Sequence, residues 1–276
     1  MRTMHIVEKD SRSSATTPFS NPERSRSRVR VGKGVPCLAL GLALTMALTA
    51  RAQLSVGTET GAVISGYNDV RVPNVGGTTF SLSEDLSTPT KAFVRVRVSY
   101  AFAGRHWVSL LVAPLRLQAR GSLGRALRFG GADFPAHAPL SAVYRFDSYR
   151  VTYRYQLDHR GAVRIAVGIT AKIRDAAIRL QTPGISRETT NTGFVPLLSG
   201  QLAWWPAPRT GLVLDMDALA APQGRAEDIL AAAVYAPSRH LQLYGGYRLL
   251  EGGADVDQLY NFALLHYLCF GANWTF

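Results

Sequence analysis

A strict alternation of apolar and polar residues is the feature that most constrains what this chain can fold into. In residues 148–157 one parity is apolar or aromatic throughout, whereas the other is polar and includes Arg150 and Arg154. Residues 91–102 and 162–174 repeat the pattern. A period of two is that of a β-strand, whose successive side chains point to opposite faces of the sheet. The chain is therefore predicted to contain long strands with one apolar and one polar face.

The connections between the predicted strands differ in length in a regular way. The strands are predicted at residues 54–66, 91–102, 106–118, 142–157, 162–174, 194–205, 211–220, 228–235, 240–249 and 258–276. Short turns at 103–105, 158–161, 206–210 and 236–239 alternate with long connections at 67–90, 118–141 and 175–193. A soluble β-sandwich has no reason to sort its connections, whereas a transmembrane barrel does.

The fold predicted from these patterns is all-β, an up-and-down antiparallel transmembrane β-barrel of ten strands. The strands at 211–220 and 228–235 are short and rich in alanine. If that hairpin were a loop excursion, the barrel would have eight strands, which is the alternative prediction.

The tryptophans give an independent indication of depth. They are Trp107, Trp204, Trp205 and Trp274, and all lie within a few residues of a predicted short turn or of the C-terminus. Interfacial aromatic residues of membrane barrels gather at a fixed depth. We therefore expect the four to belong to an aromatic girdle at this end of the barrel.

The N-terminal 52 residues have the pattern of an export signal. Basic residues precede an uncharged apolar run at 35–48, and Ala50 and Ala52 supply small side chains before a predicted cleavage between Ala52 and Gln53. The run is shorter than the roughly 20 apolar residues of a membrane-spanning helix. The predicted organisation is an N-terminal extension with a cleavable signal peptide at 1–52, followed by the barrel at 53–276.

Removal of residues 1–52 changes how charge and cysteine content are interpreted. The whole chain has a formal net charge of +12, but residues 53–276 hold 22 basic against 16 acidic side chains. An exported protein meets little nucleic acid, so no nucleic-acid partner is predicted. Cys37 would be lost with the signal, leaving Cys269 with no partner for an intramolecular disulfide. We expect Cys269 to be a small packing residue.

The chain ends in a strand with apolar residues at every second position. Counted back from the end, they are Phe276, Trp274, Ala272, Phe270 and Leu268. This ending resembles the C-terminal assembly signal of bacterial outer-membrane β-barrel proteins. The resemblance implies that the protein resides in the outer membrane, that the barrel-assembly machinery recognises this strand, and that it pairs with the first strand. It indicates no subfamily. Further expected partners are outer-membrane lipid and lipopolysaccharide, and a monomer is expected.

The polar parity of the strands predicts a mostly cationic barrel interior. The predicted lumen-lining residues are Arg95, Arg97, Arg150, Arg154, Arg164, Lys172, Arg174, Asp215, Asp217 and Arg248, with Glu59 as a further acid. They could line a narrow anion-preferring channel. Alternatively the lumen is plugged, with Arg95 or Arg97 paired to Asp215 or Asp217. The plugged interpretation is favoured because side chains nearly fill the interior of a barrel this narrow.

The histidines are considered as candidates for hydrolytic catalysis. A hydrolase would need a nucleophile or an activated water beside a base. His137 lies near Asp133 in a predicted loop, without a partnered serine or second matched carboxylate. The other histidines of the barrel are His106, His159 and His240 at predicted short turns, and His266 with lipid-facing parity. No catalytic residue is predicted.

An acidic segment near the C-terminus is the one candidate for cation binding. Glu251, Asp255 and Asp257 share a glycine-containing stretch but lack the spacing of a dedicated calcium loop. We predict a solvated acidic turn, no metal and no cofactor. The leading functional hypothesis is a structural or surface-binding barrel with long surface loops; an anion-preferring channel and an outer-membrane hydrolase are the alternatives.

Overall fold

The computed structural model describes residues 53–158 and 161–276. The predicted signal peptide, Cys37 and His159 lie outside the described residues. Within the described residues, no helix has the length and apolar character needed to cross a membrane. The strands are β1 (Gln53–Arg71), β2 (Phe80–Ser81), β3 (Lys91–Phe102), β4 (His106–Ala113), β5 (Arg116–Gly121), β6 (Leu127–Phe129), β7 (Ala132–Phe134), β8 (Leu140–Asp158), β9 (Val163–Thr182), β10 (Ile185–Ala207), β11 (Thr210–Ala221), β12 (Gly224–Tyr235), β13 (Leu241–Val256) and β14 (Leu259–Thr275).

Ten strand positions close into one antiparallel barrel. The pairing runs β1–β3–β4–β8–β9–β10–β11–β12–β13–β14 and returns from β14 to β1. β5 follows β4 after a break at Pro114, which has no N–H to donate, and pairs with the opposite half of β8. The ten-strand prediction is confirmed. The eight-strand alternative is wrong, because β11 and β12 pair along their whole length, from Thr210 to Ala221.

An apolar belt surrounds the outside of the barrel. It covers residues 149–157 of β8, 163–173 of β9, 194–204 of β10 and 268–275 of β14 together with Phe276, where outward side chains such as Ile169 (62% exposed) are apolar. Each stretch has about the ten residues that a tilted transmembrane strand requires. A continuous exposed apolar surface of this kind would be unfavourable in water and suits the hydrocarbon core of a membrane.

Several strands continue far beyond the belt at one end of the barrel. β9 runs to Thr182 and β10 starts at Ile185, so the hairpin turns over only two residues. The predicted loop at 175–193 is therefore wrong. The alternation that marks a lipid-facing strand disappears there because the outer face meets water. We call this end the extended end and the opposite one, with turns at 103–105 and 208–209, the turn end.

Two loops, residues 72–90 and 122–139, fold onto the extended end. Phe80, Phe129 and Phe134 are at most 1% exposed and join a cluster with inward-facing side chains such as Leu180 and Leu265. We call this cluster the apolar plug. The β6–β7 hairpin is tied to the first loop by backbone hydrogen bonds between residues 72–78 and 128–130, and β7 contacts β10. The extended end is thus packed with apolar side chains on its inner face.

The belt makes a prediction about where charge is tolerated. Ile169→Arg places a charge on the outer face at mid-belt, and we expect it to lower the free energy of unfolding by about 2–4 kcal/mol. Gln181→Arg is the matched control, because it lies on the same strand and the same parity beyond the belt; we expect a change within about 0.5 kcal/mol. The measurement is urea unfolding from lipid vesicles. Equal effects of both variants would contradict the assignment of the belt.

Candidate functional site

Four arginines and four carboxylates meet in the barrel interior and form what we call the ionic layer. Its members are Glu59 (β1), Arg95 (β3), Arg150 and Arg154 (β8), Asp215 and Asp217 (β11), Asp228 (β12) and Arg248 (β13). All are buried except Asp215, which is half-buried. They reach the interior because each has the inward parity of its strand. The formal charges of the layer sum to zero.

Asp228 is the centre of the ionic layer. Its carboxylate accepts hydrogen bonds from Arg95 Nη2 at 3.0 Å, from Arg150 Nη2 at 2.6 Å and from Arg248 Nη1. Sequence analysis missed this residue because the strand was predicted to begin at position 228. Asp228 shares its parity with Leu230 and Ala232, which are both buried, and that shared parity is the signal that could have identified it.

The remaining carboxylates are held by paired or multiple donors. Arg248 donates to both oxygens of Glu59 at 3.0 and 2.8 Å, and Arg154 donates to both oxygens of Asp215 at 2.6 and 3.0 Å. Bidentate pairs of this kind are among the stronger hydrogen bonds in proteins. A buried ion pair offsets its desolvation only when the geometry is good and further hydrogen bonds are made.

Neutral hydroxyl groups complete the layer around Asp217. Ser199 Oγ donates to Asp217 Oδ1 at 2.6 Å and Thr170 Oγ1 donates to the same oxygen at 3.0 Å. Arg150 Nη1 donates to Asp217 Oδ2 at 3.0 Å. These contacts link β9 and β10 to the strands that carry the charges.

The ion pairs differ from those expected from the sequence. Arg95 lies 3.7 Å from Glu59 and 3.0 Å from Asp228, whereas Asp215 and Asp217 are paired with arginines of β8. Partners that face each other across a lumen are set by the closed geometry of the barrel. The pattern of a single strand contains no information about them.

The structure brings six of the ten predicted lumen residues together in the ionic layer and places the other four elsewhere. Lys172 is buried, with its ammonium 5.0 Å from the ring centroid of Phe146. Arg174 is half-buried and donates to Asn191. Arg97 and Arg164 lie on the turn-end side of the layer.

A cavity of about 350 Å³ occupies the interior between the ionic layer and the turn end. Arg97 and Arg164 line it, together with Trp107 and Trp205, and the first and last strands contribute Gln53 and Thr275. Five members of the ionic layer form its floor, namely Arg95, Arg154, Arg248, Glu59 and Asp215. This arrangement could receive a small molecule from the turn end.

The tryptophans share a depth but not a face. Trp204 and Trp274 are 47% exposed on the outside, in keeping with the expected girdle. Trp107 and Trp205 face the cavity instead, so the girdle prediction is wrong for these two. Consecutive residues of a strand point to opposite faces, so Trp204 and Trp205 cannot both face lipid.

The weak catalytic and metal candidates are accounted for by other contacts. Asp133 lies opposite Arg128 with 3.9 Å between charged atoms, and the His137 backbone N–H donates to the Leu123 carbonyl at 2.7 Å. Among the described residues, no group of three or more His, Cys, Asp or Glu side chains could hold a metal. Cys269 is fully buried in the apolar plug.

The acidic segment is mostly part of a strand rather than a loop, because β13 extends to Val256. Glu251 accepts hydrogen bonds from Tyr67 and from Arg225, whose Nε lies 2.8 Å away. Burial favours the neutral acid, but these hydrogen bonds and the Arg225 charge outweigh it, so the pKa of Glu251 is lowered. Asp255 accepts a hydrogen bond from Asn74 at 2.6 Å. The acids tie the extended end together.

The C-terminal strand completes the wall. The Phe276 N–H donates to the Leu54 carbonyl at 2.9 Å, next to the first register pair of β1 with β14. The expected assembly residues Leu268, Phe270, Trp274 and Phe276 are exposed on the outer face, with Ala272 half-buried on the same parity. Their recognition by the assembly machinery stays a prediction.

The ionic layer predicts a large effect of removing its central charge. We expect Asp228→Asn to lower the free energy of unfolding by about 3–5 kcal/mol, because three arginines lose a shared buried partner. The control Asp133→Asn removes an exposed acid with a distant partner and should change stability by less than about 0.5 kcal/mol. Urea unfolding from vesicles measures both; a tolerated Asp228→Asn would show that the layer adds no net stability.

Comparison with solved structures identifies the fold. The outer membrane protease OmpT from Escherichia coli is similar at a TM-score of 0.52 and 9% identity, with 83% of this chain and 98% of that chain covered. Ail of Yersinia pestis has a TM-score of 0.39 at 10% identity, with 81% and 99% covered. A major outer membrane protein of Thermus thermophilus has a TM-score of 0.39 at 12% identity, with 82% and 99% covered.

No family model and no curated protein matches the sequence. The similarity is therefore one of fold alone. It rests on the OmpT structure, because the other two structures have TM-scores under 0.5. The closed ten-strand barrel and its apolar belt agree with that likeness. The chain therefore has the fold of bacterial outer-membrane β-barrels, and no subfamily is assigned.

Proposed function

We propose that this protein is a closed structural barrel that presents a rigid extension at the cell surface and conducts no solute. The observation that carries the proposal is the ionic layer. The two long connections, residues 72–90 and 122–139, lie at the extended end, and the long connections of outer-membrane barrels lie outside the cell. The cavity then opens to the periplasm, and the apolar plug faces the cell exterior.

Two successive barriers support a closed lumen. Each arginine of the ionic layer binds at least one carboxylate within 3.0 Å, so a passing ion would have to compete with formed, buried pairs. The apolar plug lies beyond the layer and offers an ion no polar partner in Phe80, Phe129 or Phe134. Moving a charge through such a region without compensation is strongly unfavourable.

An anion-preferring channel has less support. The four arginine charges of the ionic layer are balanced by four carboxylates, so they create no net cationic path. Arg97 and Arg164 face a cavity whose floor is that layer. For a hydrolase, Asp133 and His137 provide no assembled acid–base pair, and the protease activity named for OmpT belongs to that protein.

A surface-binding role is supported by the extended end. The β9–β10 hairpin projects beyond the belt as paired strands, and Arg179 Nε donates to Glu188 Oε2 at 2.8 Å across it. Rigid, paired strands hold exposed polar side chains in fixed positions, which lowers the entropic cost of binding a partner.

We also propose outer-leaflet lipopolysaccharide as a lipid partner. β3 pairs with β4 from Val96 to Phe102, and β5 pairs with β8, which leaves a notch in the wall beside residues 91–95. Lys91 and Arg116 flank this groove of about 380 Å³, with exposed Val94 beneath them. Cations beside an apolar surface suit a lipid that carries phosphate groups.

Planar-bilayer recording tests the closed lumen. We expect the purified protein to give currents no larger than those of lipid alone. A variant with residues 124–136 replaced by a Gly-Ser linker should also give no current above that of lipid alone, because the ionic layer remains. Stable conductance steps from the unaltered protein would overturn the proposal, and steps from the linker variant alone would assign closure to the loops instead of the layer.

A further inference from the structure

We infer that the cavity at the turn end is a binding site for a small, hydroxylated carboxylate of the size of an acidic monosaccharide, taken up from the periplasm. The inference goes beyond the proposed function, because a closed structural barrel needs no ligand. It rests on uncompensated charge, on the chemistry of the cavity wall and on its volume.

Positive charge is left over on the cavity wall. Each carboxylate of the ionic layer has an arginine of the same layer within 3.0 Å, so the layer is neutral. Within residues 53–158 and 161–276 the structure gives Arg97 no ion pair; its guanidinium donates to Ser109 Oγ at 3.5 Å. Two formal charges, those of Arg97 and Arg164, therefore face the cavity in addition to a neutral floor.

The two arginines differ in depth and can hold two parts of one ligand. Arg97 is two residues along β3 from Arg95 and lies next to the floor, whereas Arg164 is near the start of β9 at the turn end. Arg164 is stacked 5.7 Å from the ring centroid of Trp205, so it offers a cation and an indole on the same wall. Arginine binds a carboxylate through two parallel hydrogen bonds, which gives orientation as well as attraction.

The rest of the wall alternates between amides and apolar groups. Gln201 Nε2 donates to Asp215 Oδ2 at 3.0 Å, which fixes the orientation of its amide group. Gln242 and Asn273 are register partners on β13 and β14 and line the same space. Amides supply donors and acceptors for hydroxyl groups, and the indoles of Trp107 and Trp205 supply flat apolar surface for the C–H face of a ring.

The volume restricts the ligand to small molecules. A cavity of 350 Å³ is at the lower end of the roughly 300–1,000 Å³ range of ligand pockets. An acidic monosaccharide combines one carboxylate, several hydroxyls and a compact ring. Its carboxylate would bind Arg97 or Arg164. Its hydroxyl groups would hydrogen-bond to the amides, and its ring would pack against the indoles.

Tryptophan emission provides a direct measurement. With Trp204→Phe and Trp274→Phe, only the two cavity tryptophans remain of the four in the chain. The probe is D-glucuronate, titrated into this variant in detergent; D-glucose is the matched neutral sugar and sodium sulfate the anion without a sugar ring. We expect saturable emission changes with D-glucuronate at concentrations where the other two give none.

Charge-removing variants test which residues bind. We expect Arg97→Gln and Arg164→Gln each to weaken D-glucuronate binding by about tenfold or more, the loss typical of a hydrogen bond to a charged group. Arg179→Gln, on the outer face of the extended end, is the matched control and should bind unchanged. Heat-modifiable gel migration verifies folding. If Arg97→Gln does not fold, the test rests on Arg164→Gln, because Arg164 is exposed and its replacement is not expected to prevent folding.

Three results would overturn the inference. They are no emission change with D-glucuronate, equal affinity for D-glucose or sulfate, or affinity unchanged in a folded Arg164→Gln variant. Bilayer conductance does not enter any of these measurements, so failure here and failure of the closed-lumen proposal are separable.

Discussion

Pairing of the last strand with the first is the constraint on which the rest of this structure depends. Lipid offers no hydrogen-bond partner to an open sheet edge, so a membrane sheet has to close on itself. β14 meets β1 from Ser55 opposite Thr275 to Arg71 opposite Tyr260. Closure with ten strands brings inward residues of opposite walls within reach of one another. Arg95 on β3 can therefore bind Asp228 on β12, and the ionic layer forms only because the sheet is closed into a barrel.

The sequence predicts the part of the fold that touches lipid and fails where lipid ends. Within the belt, a strand must show an apolar outer face and the alternation is visible, as in residues 163–173. Beyond the belt the outer face meets water, so stretches such as Thr189–Thr192 carry no apolar signal although β10 is continuous there. The ends of β9 and β10 and the two-residue turn between them were consequently predicted as one long loop at 175–193.

The parity of a strand predicts which residues face the barrel interior, but it does not predict which of them form ion pairs. Inward parity predicts that Arg150 and Asp217 lie on the polar side of their strands, because successive side chains of a strand alternate between its faces, and both side chains are buried. The choice of ion-pair partners depends on strand tilt and on distances across the lumen, which the sequence of a single segment does not encode. Asp228 was missed at a predicted strand boundary, where parity was not extended. Trp205 was assigned to the wrong face because depth was inferred from the turn and the face was not considered.

In the proposed orientation, with the extended end outside the cell, the length of that end has a consequence for how long the protein resists proteases. Proteases cleave exposed loop tips far more readily than paired strands. Here β9 and β10 are bonded to each other as far as a two-residue tip, and the β6–β7 hairpin is bonded to residues 72–78 beneath it. A hydrolytic enzyme approaching from outside would meet hydrogen-bonded backbone where a looser barrel would offer cleavable chain. Resistance to digestion thus comes from the same kind of backbone hydrogen bonding that closes the barrel wall.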